Sequence, residues 1–162
     1  MNVVIRGNIS AFQRELGMLT TGPNSIYARG EQALRQVLLE EFHTLVQETP
    51  QYSGSTAASW RIGFYAPTEY TMMWPPSSAA DALAKGMDPA VSIAVGYARE
   101  SLGVTGYDML KNRQDITITN GAPGYETAEE GPVRQVNTPP GALKRFIERF
   151  SHRVIALDDY WK

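Results

Sequence analysis

From residue 25 to 48 the chain carries an apolar stripe at helical spacing: Leu34, Leu38, Phe42 and Leu45 recur at steps of four and three, and Val37 and Val46 widen it. Glu31, Arg35, Glu40, Glu41, Gln47 and Glu48 occupy the other face. Pro50 ends the run, because a proline pushes the residue before it out of the α region. Burying each stripe residue contributes about 1.5–3 kcal/mol, whereas fixing the backbone costs about 1–2 kcal/mol for every residue of the segment. Such a helix does not stand alone. It requires a surface to lie on.

Two short runs supply the expected sheet. In residues 59–65 Trp60, Ile62 and Phe64 alternate, and in residues 115–119 Ile116 and Ile118 alternate, each at the period of a strand. A third short strand is expected at residues 3–6, followed by a brief helix capped by Ser10 and carrying Phe12, Leu16 and Leu19. Between the two main strands, residues 66–76 hold three prolines and read as a long loop or irregular hairpin. Residues 79–84 then read as helical. Asp88-Pro89 is a cap followed by a first-turn proline, opening a helix that runs through Leu102 and is weakened by Gly96. Thr138-Pro139-Pro140-Gly141 introduces a last helix with Leu143, Phe146, Ile147 and Phe150 on one stripe, and residues 154–157 either continue it or begin a strand. The order defines an α+β fold: a small, mostly antiparallel sheet packed by a long N-terminal helix, a helical insertion and a C-terminal helix.

One domain is expected over residues 1–162: an N-terminal extension at 1–24, the α+β core at 25–157 and an acidic, aromatic tail at 158–162. Lys and Arg number 15 against 17 Asp and Glu, so the net charge of -2 supplies no global basic field for gripping phosphate backbones. The absence of cysteine removes disulfides, thiolate metal sites and thiol nucleophiles, and fits a reducing cytoplasm. The first seven residues lack the apolar centre of a secretory signal, and no apolar run reaches the length of a membrane span. A soluble product is the expectation.

Two turn clusters punctuate the chain. In Thr49-Pro50-Gln51-Tyr52-Ser53-Gly54-Ser55, leading to Ser59-Trp60, Gly54 is free to take positive φ and the serines beside it can bond freed backbone amides. Ser-Gly-Ser lacks the glycine spacing of a nucleophile elbow and the Lys-Ser or Lys-Thr of a phosphate loop, so a turn is the reading. The second cluster runs from Ile116 through Asn120-Gly121-Ala122-Pro123-Gly124-Tyr125 to Glu129-Glu130-Gly131. There Asn120-Gly121 tolerates left-handed geometry, Pro123 fixes the next turn, and Tyr125 opens a single helical turn stopped by Gly131. Glu126, Glu129 and Glu130 group together without the aspartate frame of a calcium loop, and read as a solvated edge.

The remaining reactive residues form no pattern of their own. His43 follows Glu40 at one Glu-x-x-His step, where metal-binding bundles need several copies, and His152 follows the closing helix stripe. Arg145, Arg149 and Arg153 share helical spacing with Glu148 among them, and read as a charged solvent face. Met72-Met73-Trp74, in the proline-stiffened loop, either covers its own sheet or serves protein contacts, and the same two readings apply to Tyr160-Trp161.

Taken in order, these motifs resemble the small neck and tail-completion proteins of tailed bacteriophages, often labelled minor tail proteins, over residues 25–150. Thr49, Pro50, Gly54, Ser59 and Trp60 match the first block of that family. Ile118, Asn120, Ala122, Pro123, Tyr125, Glu130 and Gly131 match the second, and Pro140, Gly141 and Phe146 the third. Gly124 separates Pro123 from Tyr125 where the family joins them, and the Leu-Arg that follows the glycine of the first block is lacking. The resemblance implies a virion protein without cofactor or catalysed reaction. Such a protein self-assembles into a ring, a hexamer in the family, at the neck or tail end. Its partners are other neck or tail proteins, with DNA met only in passage through the lumen and no membrane, and it is made in the host cytoplasm. Met72, Met73, Trp74, Tyr125, Tyr160 and Trp161 are the expected assembly contacts; Pro50, Gly54, Trp60, Asn120, Pro123, Gly131 and Gly141 are the expected shape-setting residues. Two other classes stay open: a small metal-dependent or hydrolytic enzyme using His43 or His152, and a soluble regulatory binding module.

Overall fold

The stripe at 25–48 forms α1, Ile26–Glu48, and its six apolar residues Leu34, Val37, Leu38, Phe42, Leu45 and Val46 are all buried. The computed structural model describes residues 2–5, 26–49, 54–64, 88–103, 109, 115–123, 125 and 140–160, with the backbone alone at 2–5, 26–27 and 158–160. The expected helix at Ser10, the loop at 66–76, the helical stretch at 79–84 and the acidic group Glu126, Glu129 and Glu130 lie outside those residues.

Three strands build one antiparallel sheet in the order β1-β3-β2, with β1 at Asn2–Ile5, β2 at Trp60–Gly63 and β3 at Ile116–Asn120. The register pairs Ile62 and Val3 with Ile118, and Trp60 with Asn120. Because β3 is central, all five of its residues are buried, including Thr117 and Thr119. The fold is α+β, as the order of motifs implies.

A single helical turn, α2 at Ser55–Ala58, precedes β2, where the sequence reading placed only a bend. Gly54 starts it in the left-handed region at φ 85°, and its carbonyl accepts the amide of Ala58 at 2.9 Å. In this turn the Ser59 hydroxyl donates to the carbonyl of Ser55 at 2.7 Å. Next, α3 spans Pro89–Gly103, and Asp88 caps it as expected: its Oδ1 accepts the amides of Ala90 at 2.8 Å and Val91 at 3.3 Å. Ala90, Ala94 and Ala98 form a buried stripe of small side chains that lets α3 lie close to its neighbours α1, α2 and β2. The guanidinium of Arg35 donates to the Leu102 carbonyl at the C-terminal end of α3, to Glu31 at 2.8 Å, and lies over the Phe64 ring.

The last helix, α4, runs over Ala142–Tyr160, so residues 154–157 continue it and three residues of the expected tail remain helical. It begins at a second left-handed glycine, Gly141 at φ 84°, whose carbonyl accepts the Arg145 amide at 3.0 Å. Ala142, Leu143, Phe146 and Phe150 are buried along α1, with Phe146 and Phe150 stacked 5.9 Å apart. Ile147, assigned to that stripe from sequence, is instead exposed. It sits about a quarter turn round the helix from Phe146, and the arginines fill the contact in its stead.

The expectation of a charged solvent face at Arg145, Arg149 and Arg153 is thereby overturned. Glu41 is buried, and the charged edge of α1 formed by Glu40, Glu41 and Glu48 is not a plain solvent face. Nor is the arginine stripe. Arg145 pairs with Glu48 at 2.9 Å, Arg149 with Glu41 at 2.8 Å and Glu48 at 3.0 Å, and Arg153 with Glu40 at 2.7 Å and Glu41 at 3.1 Å. The two polar edges meet each other and form a ladder beside the apolar contact.

Among the described residues no helix is long and apolar enough to cross a membrane.

Candidate functional site

The first two motif blocks, separated by more than fifty residues in sequence, meet at one junction. Thr49, one residue past α1, is fully buried; its hydroxyl donates to the Leu45 carbonyl at 2.7 Å and accepts the indole N–H of Trp60 at 2.7 Å. Trp60 opens β2 and packs edge-on against Tyr125 of the second block, with ring centroids 4.8 Å apart. Beside it in the sheet, Asn120 ends β3. Its side-chain amide donates to the Thr56 carbonyl in α2 at 2.9 Å, and its Oδ1 accepts the Ala122 amide at 2.9 Å. The Tyr125 amide then donates to the Ala122 carbonyl at 3.2 Å. These bonds commit the Thr49 hydroxyl and the Asn120 amide to neighbours inside the protein, so the junction fixes the backbone path.

The shape-setting residues therefore stand as follows. Gly54 and Gly141 take positive φ at the starts of α2 and α4, Trp60 and Asn120 are buried in the junction, and Pro123 is exposed in the turn beyond it. Among the described glycines positive φ belongs to Gly54 and Gly141, while at Asn120-Gly121 the asparagine side chain, acting from extended backbone, bonds the turn. Pro50 and Gly131 lie outside the described residues, as do Met72, Met73, Trp74 and Trp161; Tyr160 is placed by its backbone in α4. Tyr125, expected at an assembly contact, is a core residue instead, because its ring is committed to Trp60.

The histidines are not brought to the junction. His43 is exposed on α1 and His152 is exposed on α4. His43 lines an open groove of about 970 Å³ between α1 and α3, floored by Leu39, Val91, Val95 and Gly96. Two carboxylates share that groove, and each is already engaged: Glu40 by Gln36 and Arg153, Asp88 by the first amides of α3. No group of three or more His, Asp or Glu residues converges in metal-binding geometry among the described residues.

Along α4, the ladder shifts its carboxylates, and Glu40 belongs to both the ladder and the groove rim. Burial alone would raise the pKa of Glu48, but hydrogen bonds from Arg145 and Arg149 outweigh it and hold it below the ordinary value of 4.5. Glu40 is also lowered, by the hydrogen bond from Gln36 and then by that from Arg153. Sequence reading missed this site. The signal for it was present as matched spacing, Glu41 and Glu48 on one helix against Arg145, Arg149 and Arg153 on the other.

Comparison with family models, with curated proteins and with solved structures returns no match.

Proposed function

We propose that this chain is a structural virion protein of a tailed bacteriophage, a ring component of the neck or tail end that completes the tail or joins it to the head. One observation carries the reading. The residues that resemble the neck and tail-completion family, Thr49, Gly54 and Trp60 with Asn120, Ala122 and Tyr125, fall together in one buried junction that sets the backbone path. Such residues specify a scaffold, and a shared scaffold is what a resemblance in turn and strand punctuation describes. The net charge of -2 suits a ring through which DNA passes without being held. The partners are other copies of the chain and adjoining neck or tail proteins, and the place is the virion.

The test is composition and position. Mass spectrometry of purified particles from a phage encoding the chain should find it in ring-like stoichiometry, and cryo-EM should place it between head and tail or at the tail end. Its absence from purified particles overturns the proposal.

A further inference from the structure

Two features of the chain are exposed, a groove beside α1 and a face of α4, and Glu40 at the groove rim is itself paired with Arg153 of α4. The first is the groove between α1 and α3. Gly96 stands in its floor, in the interior of a helix, where glycine is less favourable than alanine. A Cβ added there would meet nothing within 4 Å, so packing against the described residues does not call for a glycine. A surface that has to be approached closely from outside does call for one. The second feature is the outward face of α4. Ile155 is 59% exposed and Ile147 37%, on the side turned away from the Phe146 stripe, with Glu148 exposed between them.

The two features match in size and charge. A 15-residue α3 gives a groove on the order of 22 Å long, and the eight residues from Ile147 to Ile155 rise about 12 Å. Arg99 lines the groove and is exposed, and among the described residues no ion pair engages either Arg99 or Glu148. A single copy cannot join its own two features. On α1, Gln36, Leu39 and His43 of the groove lie about half a turn from Glu41 and Glu48, which hold α4.

We infer that the α1/α3 groove receives the outward face of α4 from a second copy of this chain, with Ile147 and Ile155 entering over Gly96 and Glu148 meeting Arg99. The contact joins two different patches, so it repeats head to tail and closes a ring when the rotation per copy allows. It rests on the proposal that the chain assembles with itself, and it names the surfaces that do so.

Sedimentation velocity on the full chain tests it with two variants. Gly96→Leu fills the groove and leaves the α4 face intact; Ile155→Glu spoils that face and leaves the groove intact. Each should weaken self-association by about 10-fold or more while far-UV circular dichroism stays that of the wild type. Mixed, the two variants should form a dimer and nothing larger, because one functional groove and one functional face remain between them. Arg99→Glu should weaken assembly in the same way, and adding Glu148→Arg should restore it. Variants that assemble as the wild type does, or a mixture that gives no dimer, overturn these surfaces while leaving a ring-forming virion protein standing. A wild-type chain that stays monomeric at all concentrations overturns the inference, and its absence from particles overturns the functional proposal separately.

Discussion

The indole N–H of Trp60 donates to the hydroxyl of Thr49 at 2.7 Å, with both side chains buried to within 1% of full coverage. The bond joins the end of α1 to the start of β2 and spans the turn that Gly54 shapes. Thr49 also donates to Leu45, so the hydroxyl serves as donor and acceptor at once.

Thr49→Val keeps the shape of the side chain and removes the acceptor, leaving the Trp60 N–H buried and unpaired. That should cost about 1–3 kcal/mol. Thr49→Ser keeps the hydroxyl and gives up one methyl, for about 1 kcal/mol. Urea unfolding should therefore rank wild type above Ser above Val. A valine variant as stable as the serine one would show that the indole finds another partner.

Glycine substitutions should change sign with position. At Gly141 an added Cβ meets only the Arg145 guanidinium at 3.7 Å, an ordinary contact, so the penalty of Gly141→Ala comes from its φ of 84°. About 1–2 kcal/mol should be lost. At Gly96 the backbone is helical and the space is open, so Gly96→Ala should raise monomer stability by about 0.5–1 kcal/mol. Thermal melts of the two variants should move in opposite directions, and a shared direction would refute the assignment of strain to Gly141.

Thr119 lies on the central strand at 1% exposure, and its hydroxyl has no hydrogen-bond partner. Thr119→Val replaces that hydroxyl with a methyl of similar shape and keeps the β-branching that suits a strand. Stability should rise by about 1 kcal/mol, the reverse of the expectation for Thr49→Val, although both are buried threonines. An unchanged or lower urea midpoint would mean that the hydroxyl is bonded in solution.

The elements were legible wherever one face of one segment carried the information. The stripe from Leu34 to Val46, the cap at Asp88 and the alternation of Trp60 with Ile62 each signal locally, and each stands in the structure. Contacts made by charge were not legible. Glu41 looks solvent-facing in its own helix, and Arg149 looks the same in its own; only their pairing across 108 residues of sequence turns two polar faces into an interface. The same blindness placed Ile147 in the core, because a stripe read from one helix cannot say how wide the facing helix is. Tyr125 was misjudged for a related reason: a tyrosine in a turn offers itself equally to a partner or to a tryptophan of its own chain, and the ring of Trp60 decided it.

The ladder between α1 and α4 should give this chain a stability that depends on acid in a particular way. Glu48 is held below 4.5 in the folded state, because hydrogen bonds from Arg145 and Arg149 outweigh the cost of burial. A carboxylate whose folded pKa is depressed contributes its full stabilisation above its unfolded value and loses it as pH falls through the folded one. Glu48→Gln keeps an oxygen facing the arginines and removes the charge, so it should cost about 1 kcal/mol at pH 7, the scale of a partly exposed ion pair reinforced by hydrogen bonds. That difference should hold from pH 7 down to the unfolded value and shrink as pH falls on through the lower folded one, as the wild-type carboxyl takes up the proton the glutamine never needs. The arginines stay charged throughout and add nothing to the slope. Urea unfolding of both proteins at several pH values measures the gap directly. A gap that does not shrink at all as the solution is acidified below the ordinary carboxylate range would mean that the Glu48 charge does not help hold α4 to α1.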